Sequence, residues 1–390
     1  MLPSWWRWLA VVLLGGVLAG FFALRGGKHD EGVIIDYQEP PKPLAGFTSP
    51  KIAKRLSDQK EARIPQELSA KVTAQSMEET RRKLTEEREF VRTLQTEPAR
   101  ELLSRLLTLW SEPGVGSRAS EEKALVTMVL TQALHSSDEN SNGPVYQQLS
   151  ALLGSDALPL ATKMEIASIL GSVQTPQSVQ LILGAYQQAS DDKLREILGN
   201  QAGRTGDNLW AGRFHEDLSP PLEAAWPLAK DNSKLAQALA NGLAKVGTPT
   251  GVQLLVNEIL HSAQTIQDLS DLKDLRGQAA FLALNKVRNP NAVSIFANGL
   301  LNADSSELER YVCGLSLAAM GKAEATQVLL RWAATASDQE TPWAEQWFGK
   351  MRDAASFDLV GASLSPANGV KFASATIQSA VVAGQKNRER

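Results

Sequence analysis

Apolar residues recur with helical spacing in four stretches of the chain. They stand at positions i, i+3, i+4 and i+7, so each set falls on one face of a helix. The four sets are Val179, Ile182, Leu183 and Tyr186; Val252, Leu255, Val256 and Ile259; Val293, Phe296, Ala297 and Leu300; and Thr326, Leu329, Leu330 and Ala333. Another apolar stripe precedes each set, so the pattern predicts an all-α fold built from pairs of helices.

A similar line of sequence stands at the turn between the two helices of a pair. It reads VQTPQSVQLIL from Val173, VGTPTGVQLLV from Val246 and VRNPNAVSIFA from Val287. In each copy Thr or Asn precedes a proline, which predicts an N-cap followed by proline at the first helical position. Gly247 and Gly321 are predicted to end the preceding helices in the left-handed conformation. We call each of these turns a joint.

The spacing of the joints indicates a helical repeat, because two-helix repeats recur about every 30 to 45 residues. The stretch from Leu275 to Val293 resembles a HEAT repeat of the short bacterial type. The residues that carry the resemblance are Leu275, Arg276, Ala279, Ala280, Leu284, Val287, Asn289 and Val293. The resemblance extends over about Glu121 to Ala334, and it implies a right-handed α-solenoid of HEAT-like helix pairs. It departs from the family pattern at Lys322, where no proline follows, and it implies no particular activity.

Changes in composition divide the chain into five predicted segments. They are a transmembrane anchor (1–30), an extended linker (31–65), a charged helical stalk (66–95), a HEAT-like repeat domain (96–355) and a weakly ordered tail (356–390). In the stalk, Glu78 and Arg82, and Glu79 and Lys83, stand four residues apart, which favours a helix. A short coiled coil is the alternative for this segment.

The first segment predicts contact with a lipid bilayer through residues 5–24. No charge falls between Arg7 and Arg25, and the run approaches the ~20 apolar residues needed to span a membrane. A cleaved signal peptide is the alternative, with small residues at Val17 and Ala19. The apolar run continues beyond that point, which favours the uncleaved anchor.

A single amino-terminal span predicts a protein of the bacterial inner membrane. The charges that flank the span do not decide its orientation under the positive-inside rule. A short tail before a first span usually stays in the cytoplasm, so we expect the bulk of the chain in the periplasm. Gly16 and Gly20 form a GxxxG spacing, which would allow a homodimer through the anchors.

Composition and motifs argue against several classes of function. The formal net charge is -3, so the chain lacks the basic character that predicts nucleic-acid binding. One cysteine, Cys313, allows neither an internal disulfide nor a thiolate metal cluster. His215 and Glu216 begin like a zinc-protease motif, but Ser219 stands where the second histidine is required. We predict no catalytic residues, no cofactor and no metal, and therefore no enzyme.

The second helices of the pairs place polar side chains at matching positions beside the apolar stripe. These positions predict a polar ladder that binds a protein partner. Its candidate residues are Gln180, Gln253, Asn257, Asn298, Gln327 and Arg331. The neighbouring apolar residues Leu181, Leu254, Ile295 and Val328 are expected to pack against an adjacent helix. Trp343 and Trp347 either cap the last repeat or form an aromatic binding patch.

These features predict a membrane-tethered scaffold or adaptor that presents an extended surface for protein–protein interaction. The alternative is an accessory or regulatory subunit that binds a small molecule or assists an enzyme. The two differ in surface shape, because a small-molecule site needs a deep pocket with converging polar groups, whereas a scaffold presents a long, shallow groove.

Overall fold

The computed structural model describes residues 66–111, 117–136, 139–207, 215–351, 353–365 and 371–388. Within these ranges the chain is helical and contains no β-strand, which confirms the predicted all-α class. The predicted anchor (1–30) and linker (31–65), with Gly16 and Gly20, lie outside the described residues. Among the helices described, none combines the length and the apolar character that crossing a bilayer requires.

The described residues form seventeen α-helices, which we number in chain order, and five short 3₁₀ turns. The helices are α1 (Gln66–Thr96), α2 (Ala99–Ser111), α3 (Ser117–Ser136), α4 (Glu139–Gly154), α5 (Leu160–Val173), α6 (Pro176–Gln188), α7 (Asp192–Gly203), α8 (Ser219–Ala225), α9 (Ser233–Val246), α10 (Pro249–Ser262), α11 (Leu275–Leu284), α12 (Val293–Leu301), α13 (Glu307–Met320), α14 (Ala323–Ala333), α15 (Thr341–Lys350), α16 (Ala354–Leu364) and α17 (Ala375–Arg388). The 3₁₀ turns are Glu216–Leu218, Trp226–Ala229, Gln267–Ser270, Pro290–Ala292 and Asp338–Glu340.

The chain divides into two units, with the boundary after residue 89. Residues 76–89 of α1 are all exposed, as expected for a helix whose charges alternate in sign. Lys83 Nζ lies 3.4 Å from Glu79 Oε1, as the spacing predicts. Arg82 instead pairs with Glu86 at 3.5 Å, which lies one helical turn after Arg82, whereas the predicted partner Glu78 lies one turn before it.

In the second unit the helices alternate between two layers. Layer B contains the even-numbered helices α2 to α16, each packed against the next even-numbered helix. Layer A contains the odd-numbered helices from α3 to α17. Within it α3 to α11 pack in sequence, as do α13 to α17, while α13 also packs against α10 and α12 of layer B. Each helix thus buries its apolar stripe against neighbours close in sequence, with the core between the layers.

The joints have the local structure that their sequences predict. Thr175 Oγ1 accepts from the backbone N–H of the third residue of α6, and Thr248 Oγ1 does the same for α10. Asn289 caps the short 3₁₀ turn that leads into α12. Gly247 and Gly321 have φ of 64° and 61° and end α9 and α13 in the left-handed conformation. A side chain would strain the backbone at these two positions.

Hydrogen bonds connect the joints to the ends of neighbouring helices. Gln174 follows α5 with φ of 55°, and its Oε1 accepts from the backbone N–H of Gly206 at 2.8 Å. Asn289 Nδ2 donates to the carbonyl of Val246, the last residue of α9, at 3.0 Å. Gln174 and Asn289 are almost fully buried, so each bond satisfies polar groups that water does not reach.

The structure differs from the sequence prediction in the segment 356–390, where weak order is expected. Most of α16 and all of α17 lie within it, and α17 packs along α15 with Ile377 and Val381 fully buried. A Cβ placed on Gly384 would lie 2.7 Å from the carbonyl oxygen of Glu345 and 2.9 Å from the backbone nitrogen of Gly349. Small residues here allow close backbone contact, so their lack of bulk does not indicate disorder.

Candidate functional site

The central helices of layer B carry almost no charged side chains. Helices α6 and α12 contain no Asp, Glu, Lys or Arg, while α8 and α10 contain one each, Glu223 and Glu258. The first turns of α7 in layer A, by contrast, contain Asp192, Lys193, Arg195 and Glu196. Charge is therefore unevenly distributed between the layers in this part of the molecule.

Both carboxylates of the central layer B helices are held by neighbouring side chains. Glu223 Oε1 accepts hydrogen bonds from Ser219 Oγ and Thr250 Oγ1, each at 2.7 Å. Glu258 Oε2 accepts from Trp226 Nε1 at 3.0 Å. Glu258 also pairs with Arg276 at 3.0 Å, so the face presented by α6, α8, α10 and α12 keeps one carboxylate, Glu223, without an ion pair among the described residues.

An open groove of about 830 Å³ crosses this face, and we call it the Trp226 groove. Its walls come from α10, from the first turn of α11, from α12 and from the 3₁₀ turn that follows α8. The lining residues are Trp226, Pro249, Thr250, Gln253, Leu254, Asn257, Glu258, His261, Arg276 and Ile295. Leu254 and Ile295 remain partly exposed, so the groove offers apolar surface to a partner.

Polar groups in the Trp226 groove are held in place but not fully paired. Gln253 Nε2 donates to Asn257 Oδ1 at 2.8 Å, which fixes two amides one helical turn apart. Arg276 Nη2 lies 3.0 Å from Glu258 Oε1, and the two side chains are 22% and 11% exposed. Arg276 Nε is buried and has no hydrogen-bond partner among the described residues. The groove thus contains a neutralised ion pair with spare donor capacity.

A second groove of about 380 Å³ lies between α6 and α8, and we call it the Leu228 groove. Its lining residues are Gln180, Leu183, Gly184, Gln187, Pro220, Pro221, Ala224, Ala225 and Leu228. Leu228 is 50% exposed, so this groove also offers apolar surface. The two grooves lie on the two sides of the segment formed by α8 and the turn after it.

The structure places the predicted ladder residues on layer B but brings only some of them into a groove. Gln253 and Asn257 line the Trp226 groove, and Gln180 lines the Leu228 groove. The remaining ladder residues, Asn298, Gln327 and Arg331, are exposed on α12 and α14 but line neither groove. Of the apolar residues expected to pack against a neighbour, Val328 is buried, whereas Leu254 and Ile295 line the Trp226 groove.

The prediction of a binding patch at Trp343 and Trp347 is wrong for Trp347, which is fully buried. Its ring centroid lies 4.6 Å from that of Trp332, with the two rings tilted by 54°, and the indole covers Gly314, where a Cβ would overlap it. Trp343 is partly buried and lies edge-on to Tyr311 at 5.7 Å. The absence of a side chain on α13 at this point is what makes room for the large ring.

Sequence reasoning missed three residues that define the Trp226 groove. They are Trp226, Glu258 and Arg276, which come from three different elements and lie 18 or more positions apart in the chain. Arg276 was noted only as part of the repeat pattern. The scarcity of charge in α6, α8, α10 and α12 is visible in the sequence and is the feature that could have indicated a binding face there.

The chemistry of the remaining candidates is limited. Among the described residues, no three His, Cys, Asp or Glu side chains are grouped so that they could hold a metal ion. His135 and His215 meet edge-on at 5.6 Å, and His135 Nδ1 lies 2.7 Å from the carbonyl oxygen of Val173. Burial is the main cause that lowers the pKa of His135. Burial also raises the pKa of the Cys313 thiol to about 12, so Cys313 remains a neutral core residue.

Comparisons of the chain with known protein families, with curated proteins and with solved structures find no match. The similarity to HEAT repeats therefore depends on the joint and helix residues named above. What the protein does has to be argued from the surface of layer B itself.

Proposed function

We propose that the protein is a helical-repeat scaffold that binds a partner protein on layer B. The observation that carries the proposal is the near absence of free charge on α6, α8, α10 and α12. Interface cores are depleted of charged residues relative to the rest of a protein surface. In a chain with 40 Lys and Arg and 43 Asp and Glu, an exposed face without them is best explained as a surface that becomes covered.

The architecture that supports this function is proposed to be a right-handed α-solenoid of HEAT-like helix pairs. The alternation of sequential helices between two layers supports the solenoid, as do the joints with their shared capping chemistry. The resemblance to HEAT repeats supplies the handedness. Solenoids present long surfaces formed by equivalent helices of successive repeats, which is the position that the polar ladder occupies.

The scaffold is further proposed to be tethered to the bacterial inner membrane with its bulk in the periplasm. Support comes from the apolar residues 5–24, which approach the length of a membrane span. A homodimer through Gly16 and Gly20 belongs to the same proposal. Fractionation of cells with salt and alkaline washes tests the tether, because a protein anchored by apolar burial is not released by salt.

The alternative role as an accessory subunit for a small molecule or an enzyme has less support. A small-molecule site buries most of its ligand in a concave pocket. The Trp226 groove and the Leu228 groove are instead open along their length. This shape fits an extended partner better than a compact ligand.

Site-specific photo-crosslinking in the native cell tests the proposed surface. A photoreactive amino acid would be placed at Gln180, Asn257 or Asn298 in layer B, and at Lys193 or Glu307 in layer A. All five positions are exposed. We expect the layer B positions to yield adducts with a common protein and the layer A positions to yield none. Adducts formed only from layer A would refute the proposal.

A charge-matched pair of variants gives a second test. Changing Asn257, Asn298 and Arg331 together to Glu should abolish the common adduct while leaving the melting temperature nearly unchanged, since all three side chains are exposed. The control changes Lys193 and Lys234 to Glu in layer A and lowers the net charge by the same amount. Loss of the adduct in both variants would indicate a general charge effect rather than a binding face.

A further inference from the structure

The residues that line the Trp226 groove indicate the chemistry of the partner segment that would bind there, and this indication rests on the proposed function. We propose that the groove binds an extended, uncharged and apolar segment of the partner protein, and that polar groups of the groove bond to the main chain of that segment. Three properties of the groove lead to this occupant: its electrostatic neutrality, its apolar floor and its unpaired polar atoms.

The neutrality of the groove favours an uncharged occupant. Glu258 and Arg276 neutralise each other at 3.0 Å and are largely buried. Glu223, on the neighbouring helix, keeps its negative charge, but it does not line the groove and its Oε1 is already bonded to Ser219 and Thr250. A charged side chain placed over this pair would lose its hydration without gaining an opposite charge, and such desolvation is costly. The groove is therefore matched best by a partner segment that, like the groove, carries no net charge.

The apolar floor requires apolar side chains in the occupant. Leu254 and Ile295 are partly exposed, and they stand at equivalent positions of α10 and α12. Pro249 and the largely buried Trp226 extend the same surface. Covering these side chains removes apolar area from water, which is the main favourable contribution to such binding.

The unpaired polar atoms indicate that the occupant is extended. The bond from Gln253 to Asn257 uses the carbonyl of Asn257 and one amide proton of Gln253. It leaves the Gln253 carbonyl as an acceptor and the Asn257 amide as a donor for the occupant. An extended chain presents main-chain N–H and C=O groups to such atoms, whereas a helix has already paired its own. Main-chain recognition of this kind is common in peptide-binding proteins.

The length of the groove sets the length of the segment. Pro249 and His261 line the groove from near the two ends of α10. At 1.5 Å per residue this part of the helix measures about 18 Å. An extended peptide rises about 3.3 Å per residue, so a segment of roughly five or six residues spans the groove.

Selection of peptides by the full-length protein tests the proposal. The immobilised protein would be panned against a phage library of random twelve-residue peptides, with an Ile295→Glu variant used for counter-selection. We expect the enriched peptides to share an uncharged stretch of five or six residues rich in apolar side chains. Enrichment of acidic or basic stretches, or no enrichment over the Ile295→Glu variant, overturns the inference.

Variants and modified peptides then examine the groove and the main-chain contacts separately. For a fluorescent copy of an enriched peptide, Ile295→Glu should weaken binding at least about tenfold, since a charge then stands on the apolar floor. Ser294→Glu is the matched control, because Ser294 is exposed on α12 and lies outside the groove. Its effect should stay below about twofold. Equal losses in the two variants would contradict binding in the groove.

Methylation of single backbone nitrogens in the peptide tests the extended conformation. At the position whose N–H bonds to the Gln253 carbonyl, a methyl group should weaken binding about tenfold, whereas methylation of the other backbone nitrogens should have little effect. A peptide that binds as a helix would instead be improved by helix-stabilising crosslinks, which would overturn the inference. In either case, crosslinking from layer B in cells reports independently on the proposed function, so the two can fail separately.

Discussion

Asn289 Nδ2 donates a hydrogen bond to the carbonyl oxygen of Val246 at 3.0 Å, and thereby closes the end of α9 with a side chain from the next joint. Asn289 Oδ1 also accepts from the backbone N–H of Asn291 and caps the turn into α12. A single side chain, 1% exposed, thus serves the end of one helix and the start of another. The stability of neighbouring repeats is coupled through such contacts.

Asn289→Ala should therefore destabilise the protein more than a surface substitution does. It leaves the Val246 carbonyl unpaired in a buried position and removes a cap, which together cost about 1 to 3 kcal/mol. Asn291→Ala is the control, because Asn291 is exposed and its side chain bonds only to Glu216 among the described contacts. Urea unfolding measures both variants, and an equal loss in the two would contradict the role assigned to Asn289.

Gly314→Ala should destabilise the protein although alanine is the better helix former. A Cβ at this position overlaps the ring of Trp347, so the indole must move within a packed core. Gly361→Ala is the matched control in α16, where the added Cβ meets no atom within 4 Å. There the gain in helix propensity should raise stability by about 0.5 to 1 kcal/mol. Thermal unfolding followed by tryptophan fluorescence distinguishes these opposite signs.

Two adjacent residues of α12 test the orientation of that helix. Phe296 is fully buried, whereas Ile295 is partly exposed in the Trp226 groove. Phe296→Ala should cost about 3 to 5 kcal/mol of unfolding free energy because it leaves a cavity in the core. Ile295→Ala should cost much less, since its side chain is not enclosed. Similar losses in chemical denaturation would mean that the helix is rotated relative to its neighbours.

Acidification should destabilise the protein partly through His135. Its pKa is lowered in the fold, chiefly by burial and further by the nearby His215. The unfolded chain therefore takes up this proton more readily, so stability is complete above the ordinary pKa of about 6.5 and declines as the pH falls below it. His135→Gln keeps a donor for the Val173 carbonyl but does not titrate. The drop in melting temperature between pH 7.5 and 5.5 should be smaller in this variant, and an unchanged drop would exclude His135 as a source.

The helix pairs and their joints were predictable because their signals are local. A threonine or asparagine before proline determines how a helix starts, and the stripe from Val252 to Ile259 determines which face it buries. The tail was predicted wrongly because Gly349 and Gly384 lie 35 positions apart in the chain. Their close contact gives order to a stretch whose small residues, taken alone, indicate weak order.

The candidate site was only partly predictable for the same reason. Gln253 and Asn257 share one helix face, so their proximity follows from sequence spacing. Trp226, Glu258 and Arg276 meet through the packing of three separate elements, which no local pattern specifies. For Trp347 the sequence left the cap and the binding patch open, because an aromatic residue near a predicted end fits a buried role and an exposed one, and the deciding partner, Gly314, lies on another helix.

The close contact between α15 and α17 has a consequence for the order in which the protein is assembled during translation. Helix α15 leaves the ribosome before α17, and the 24 residues from Met351 to Ser374 separate the two. Until those residues and α17 itself have been made, the face of α15 that carries Gly349 has no covering helix. The nascent chain therefore passes through a stage in which earlier helix pairs are complete while this glycine-lined surface is still open to chaperones or to other chains.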